Sequence, residues 1–142
     1  LIIIKSNGRQ KSSGGNLSNV FKKTQPYKIK NSKLIQIPVS TLPISRFPFM
    51  GTFNIATGFN FFKFSYYQLF FCKSYINYEI HPIEFLSFGK DNLDNSFKVH
   101  TGISISLEKK MEMYNWLFNR LKKDYDVITL KQMSKYHEDN NH

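Results

Sequence analysis

The clearest periodic signal lies between Leu107 and Lys123, where Leu107, Met111, Tyr114, Leu117, Phe118 and Leu121 recur at steps of four, three, three, one and three. That spacing predicts a helix with one apolar stripe. Ser106 stands where it can cap the first turn, Glu108 sits at the positive end of the helix dipole, and Lys122 and Lys123 sit at the negative end. Phe59 to Phe71 is apolar at nearly every position, so periodicity alone does not assign it, but its length favours a buried helix over a strand. Leu34 to Val39 is a β-rich run interrupted by Pro38, and Tyr75 to Ile80 alternates in part before His81-Pro82 stops it. Both predict strands. Asp126-Val127-Ile128 predicts a third, short strand. Thr129 is then a candidate N-cap for a turn through Leu130, Met133 and Tyr136, and residues 137–142 are expected to fray. Residues 1–25, with Gly14-Gly15 at their centre, predict an irregular basic segment. Strands alternating with helices give an α/β expectation: strands 34–39, 75–81 and 126–128 roughly parallel, with helices 59–71 and 107–123 packed outside them.

At 142 residues the chain is one domain or part of one. It opens Leu1-Ile2-Ile3-Ile4-Lys5 with no visible secretory signal, and reads as a piece of a longer protein. Cys72 is the only cysteine, which excludes an intrachain disulfide or a cysteine-based zinc cage. Lys63 and Gln68 interrupt the most aromatic stretch, which is also too short to span a bilayer, so no membrane span is expected. The formal net charge of +10 is unevenly spread, since all ten carboxylates lie beyond Tyr78. A basic N-terminal half could serve a binding module for nucleic acid or another anionic polymer. Arginine, the better reader of phosphate and guanine, occurs only at Arg9, Arg46 and Arg120, which argues against nucleic acid. The lysines from Lys22 to Lys33 then read as a solvated face.

Few residues could carry chemistry. The histidines are His81, His100, His137 and His142, and no two stand four apart as a helical metal pair would. Glycine-rich phosphate loops and nucleophile elbows are absent from the sequence. What remains is Tyr78-Glu79-Ile80-His81-Pro82-Ile83-Glu84. An imidazole at the C-terminal end of a strand lies where α/β and barrel folds place active sites, and it can deliver a proton near neutral pH. His81 is the candidate catalytic residue. Glu84 is the candidate supporting residue, able to accept an imidazole N–H.

The order of several motifs resembles a known family. Leu34-Ile35-Gln36-Ile37-Pro38-Val39-Ser40-Thr41-Leu42-Pro43, then Arg46-Phe47-Pro48-Phe49-Met50-Gly51, then Tyr78 to Glu84, then the capped helix and Ile128-Thr129-Leu130, resemble the C-terminal half of a polysaccharide deacetylase domain over roughly residues 26–135. The resemblance implies the C-terminal portion of a distorted (β/α) barrel, incomplete in this chain, with residues 1–142 forming a single partial domain. It implies a hydrolase that removes N-acetyl groups from a polysaccharide or related amide, using a divalent metal such as zinc, with His81 as the late-motif histidine. The family's early aspartate pair and its two metal-binding histidines have no counterpart here, so no cofactor is expected to bind this fragment. The chain alone is expected to be inactive, and a partial domain kept only as structure stays open.

Overall fold

In a computed structural model, residues 23–72 and 75–139 are described, and about half of them are helical beside one small sheet. The fold is mixed α/β. Strands β1 (Tyr27–Lys28) and β2 (Ile35–Gln36) pair antiparallel. Helix α1 spans Gly51–Thr57 and α2 spans Phe59–Cys72, with Gly58 between them at φ 85°, a left-handed angle that favours glycine. Helices α3 (Leu107–Asp124) and α4 (Leu130–Asp139) follow. Short 3-10 turns occupy Pro82–Phe85 and Asn95–Val99.

Both long helices form where the sequence places them, and they pack on each other. Leu42, Phe49, Phe62, Tyr66, Leu69, Met113 and Leu117 make the main core, and Ile55, Ile80 and Tyr114 a second cluster; Tyr78 packs against both. Trp116 wedges between the helices, edge-on to Phe59, Phe62 and Tyr66 at centroid distances of 5.3–5.9 Å. At the far end of α3, Asp124 accepts a 2.7 Å bond from the Tyr66 hydroxyl and lies 2.8 Å from Arg120. The stripe of α3 is rotated from the expected one. Its buried residues are Lys110, Met113, Tyr114 and Leu117, whereas Met111 is exposed, because one side of the helix meets α2 and the adjoining side meets the 82–85 turn. Helix α2 likewise buries Phe62, Ser65, Tyr66 and Leu69 but leaves Phe64 and Phe71 in solvent.

The expected parallel strands do not form among the described residues. The 34–39 run pairs for two residues only, with β1 and antiparallel, because Pro38 lacks the N–H that would extend the ladder. Residues 75–81 are extended but contribute a single parallel bridge, Glu79 to Met50. Instead, this segment bonds a narrow loop: the Ser40 amide donates to the Asn77 carbonyl, and the Asn77 side chain donates to the carbonyls of Ile37 and Pro38. Residues 126–128 form no strand, with Val127 and Ile128 exposed. Of the irregular segment expected at 1–25, residues 1–22 lie outside the described residues. At the other end α4 runs to Asp139, so His137 sits in its last turn rather than in a frayed tail, and residues 140–142 lie outside the description.

Candidate active site

The extended segment 75–80 delivers His81 to the start of the Pro82–Phe85 turn. Pro82 excludes helical angles from His81, which sits at φ −102° and ψ 143°, and the Glu84 amide then donates to the His81 carbonyl at 3.0 Å. That turn folds the Glu84 side chain back under the imidazole. Nδ1 of His81 lies 3.3 Å from Glu84 Oε1, and Nε2 lies 3.5 Å from Glu79 Oε1. The His81 side chain is 43% exposed, whereas that of Glu84 is 1% exposed.

A carboxylate so deeply buried needs donors, and beside His81 two further chain segments bring them. Thr52 Oγ1 donates to Glu84 Oε1 at 2.6 Å, and the Tyr114 hydroxyl donates to Oε2. Gly51 lets the carboxylate approach this closely: a Cβ at that position would stand 1.8 Å from Glu84 Oε2 and 2.6 Å from the Tyr114 oxygen. Helix α1 is held in place by its first amide, since Gly51 N–H donates to the Glu79 carbonyl at 2.9 Å. Burial, and then the bond to Glu84, raise the Tyr114 pKa far above the ordinary phenol range, so this hydroxyl stays a donor. Burial raises Tyr78 as well, and its oxygen accepts from the Asn54 amide at 3.3 Å.

Lys110 completes the surroundings from α3. It is fully buried, donates to the carbonyls of Leu86 and Gly102, and has its pKa lowered by burial, with Asp91 and Glu84 opposing that shift through their charge. It thus ties both ends of the 86–102 connection to the helix that carries Tyr114.

The structure therefore brings together the two residues singled out in the sequence, His81 and Glu84, and adds Gly51, Thr52, Glu79, Tyr114 and Lys110. His100 is exposed and stands apart from this group. The arrangement is an imidazole whose inner nitrogen faces the buried Glu84 carboxylate and whose outer nitrogen faces the half-exposed carboxylate of Glu79. Such a pair orients the ring. Among the described residues, no group of three or more His, Cys, Asp or Glu side chains is placed where it could hold a metal ion. No helix of the described residues is long and apolar enough to cross a membrane. Comparison with protein-family models, curated proteins and solved structures finds no match for the chain.

Proposed function

We propose that His81 is the proton donor of a hydrolase that cleaves N-acetyl groups from a polysaccharide or a related amide, and that this chain is the C-terminal portion of its distorted (β/α) barrel. The observation that carries the reading is the half-exposed imidazole backed by a buried, multiply bonded carboxylate. An amide's nitrogen is a poor leaving group until it is protonated. Glu84 accepts a hydrogen bond from Nδ1–H, which His81 retains, and Nε2, beside the half-exposed Glu79 carboxylate, carries the proton that passes to the leaving amine. Thr52, Tyr114 and Gly51 hold Glu84 and so act through it as positioning residues. The motif order supports the substrate class. The family's metal has no donor set among the described residues, so no step is assigned to it.

The test is His81→Ala in the full gene product carrying this chain, assayed by acetate release from an N-acetylated oligosaccharide. Loss of a positioned acid lowers kcat by roughly 10²–10⁴-fold with little change in melting temperature. An unchanged kcat, or a loss that follows unfolding, overturns the assignment. Imidazole ¹⁵N correlations supply a readout independent of turnover: neutral His81 is expected as the Nδ1–H tautomer, and the Nε2–H tautomer would contradict the role given to Glu84.

A further inference from the structure

We propose that the hairpin tip at residues 27–36 docks on an anionic lipid bilayer. Tyr27 faces Gln36 and Lys28 faces Ile35 in the β1–β2 register, and the Ile29 amide donates to the Leu34 carbonyl at 2.9 Å to close the next rung. Opposed residues of an antiparallel pair share a face and alternate along each strand. Tyr27, Ile29, Leu34 and Gln36 therefore line one face, as the 2.6 Å bond from the Tyr27 hydroxyl to Gln36 Oε1 requires. Asn31, at φ 59°, reverses the chain between Lys30 and Lys33.

Two features of this tip have no use among the described residues. Leu34 is 66% exposed and Ile29 39% exposed, although each is a good core residue. Lys28, Lys30 and Lys33 are exposed around them, in a stretch of sequence that contains no carboxylate before Glu79. Lys23 adds a further cation, its ammonium 5.3 Å from the centre of the Tyr27 ring. An aliphatic tip ringed by lysines, with a tyrosine behind it, matches the chemistry of a bilayer interface. Apolar side chains enter the headgroup boundary, lysine stems follow while their ammoniums meet anionic lipid, and a phenol sits at the polar level. A nucleic acid would engage the lysines but leave Ile29 and Leu34 in water, and the hairpin holds no arginine for phosphate or base edges. The bilayer accounts for both features.

The experiment is co-sedimentation of the 142-residue chain with phosphatidylcholine vesicles, with and without about one-quarter phosphatidylserine, at ~0.1 M salt. Binding is expected only to the anionic vesicles. Each lysine near such a surface contributes roughly fivefold in partitioning, so a Lys28→Gln, Lys30→Gln, Lys33→Gln triple variant should lose roughly a hundredfold. Leu34→Asn, and independently Ile29→Asn, should each weaken vesicle binding by roughly tenfold, with unchanged melting because both side chains lie outside the core. Absence of binding to anionic vesicles overturns the proposal. So does wild-type vesicle binding by both Asn variants, or displacement of the chain from vesicles by a single-stranded oligonucleotide at equal phosphate.

Discussion

Replacing Gly51 with alanine tests the candidate site through its shape alone. The new methyl would stand 1.8 Å from Glu84 Oε2, where real contacts of this kind begin at 3.0 Å, and the other nearby atoms are Glu84 Cδ at 2.5 Å and the Tyr114 oxygen at 2.6 Å. Backbone geometry offers no obstacle, since Gly51 opens α1 and is not among the residues with positive φ. In a helix alanine would by itself gain up to about 1 kcal/mol over glycine. The carboxylate, however, must retreat by more than an ångström, which breaks its bonds from Thr52 and Tyr114. Hydrogen bonds to a charged group contribute about 1.5–3 kcal/mol each, and the displaced charge has no second set of donors in a buried site. The net loss is then about 2–5 kcal/mol, equivalent to a fall in Tm of roughly 7–17 °C for a chain of this size. Thermal and urea melts of the 142-residue chain measure it. Gly89→Ala is the matched control, because nothing lies within 4 Å of a Cβ there and the change should stay within about 0.5 kcal/mol. In a Glu84→Ala background most of the Gly51→Ala cost should vanish. If Gly51→Ala melts like the parent, Glu84 does not occupy the space over Gly51, and the architecture of the site is wrong.

Tyr114→Phe removes one donor from Glu84 without changing the shape of the core, and should destabilise the chain by about 1.5–3 kcal/mol in urea titration; a neutral effect would mean the bond contributes nothing. Thr129 and Gln132 exchange reciprocal side-chain to backbone bonds of 3.1 and 2.7 Å at the start of α4, a helix with no buried residue. Thr129→Ala should therefore unravel α4 at a cost of about 1 kcal/mol, seen as lost helical ellipticity with the near-ultraviolet signal of Trp116 intact. Folded Tyr114 and Tyr78 keep their protons at pH values where the unfolded chain loses them, so each withdraws up to about 1.4 kcal/mol of stability per pH unit above about pH 10. Lys110, lowered by burial, acts in the opposite sense, adding stability as pH rises to about 10.4 and nothing beyond. Melts across this range should show stability falling above about pH 10 with tyrosinate absorbance appearing as the chain unfolds; ionisation of all tyrosines near pH 10 in a folded chain would refute this.

The sequence disclosed α3 because its 3.6-residue period, acidic first turn and basic last turn agree, and α2 because an apolar run that long has no other economical form. It did not disclose which side of α3 is innermost, since Met111 and Met113 are equally apolar and only the positions of α2 and the 82–85 turn choose between them. The expected strands fall short for a related reason. β-branched residues mark a chain that can extend, but whether it pairs depends on a partner's free amides, and Asn77 meets the 37–40 segment largely through side-chain bonds. His81 and Glu84 were legible because a proline fixes the geometry between them within four residues. Gly51, Thr52 and Tyr114 were not, as each lies about 30 residues from Glu84 and carries no local mark of its role. In the periodic pattern Tyr114 is one more apolar group of the stripe. Its ring does pack with Ile55 and Ile80, and only the hydroxyl serves the site.

The division of the chain by charge explains why the site needs both of its halves. No carboxylate precedes Glu79, so acid–base chemistry in this body starts at the segment that carries Glu79, His81 and Glu84. That segment is extended and makes one isolated bridge to its neighbour, so it cannot bury a carboxylate unaided. The carboxylate-free half answers with uncharged groups: an open position at Gly51, a hydroxyl at Thr52, and the first amide of α1 on the Glu79 carbonyl. A lysine in place of Thr52 could neutralise Glu84, but it would pull the carboxylate towards itself and away from the imidazole; a hydroxyl holds Oε1 without competing for its charge. Lys110, the cation buried nearby, gives its bonds to the carbonyls of Leu86 and Gly102 instead, and so shapes the site's walls while leaving the anion to His81.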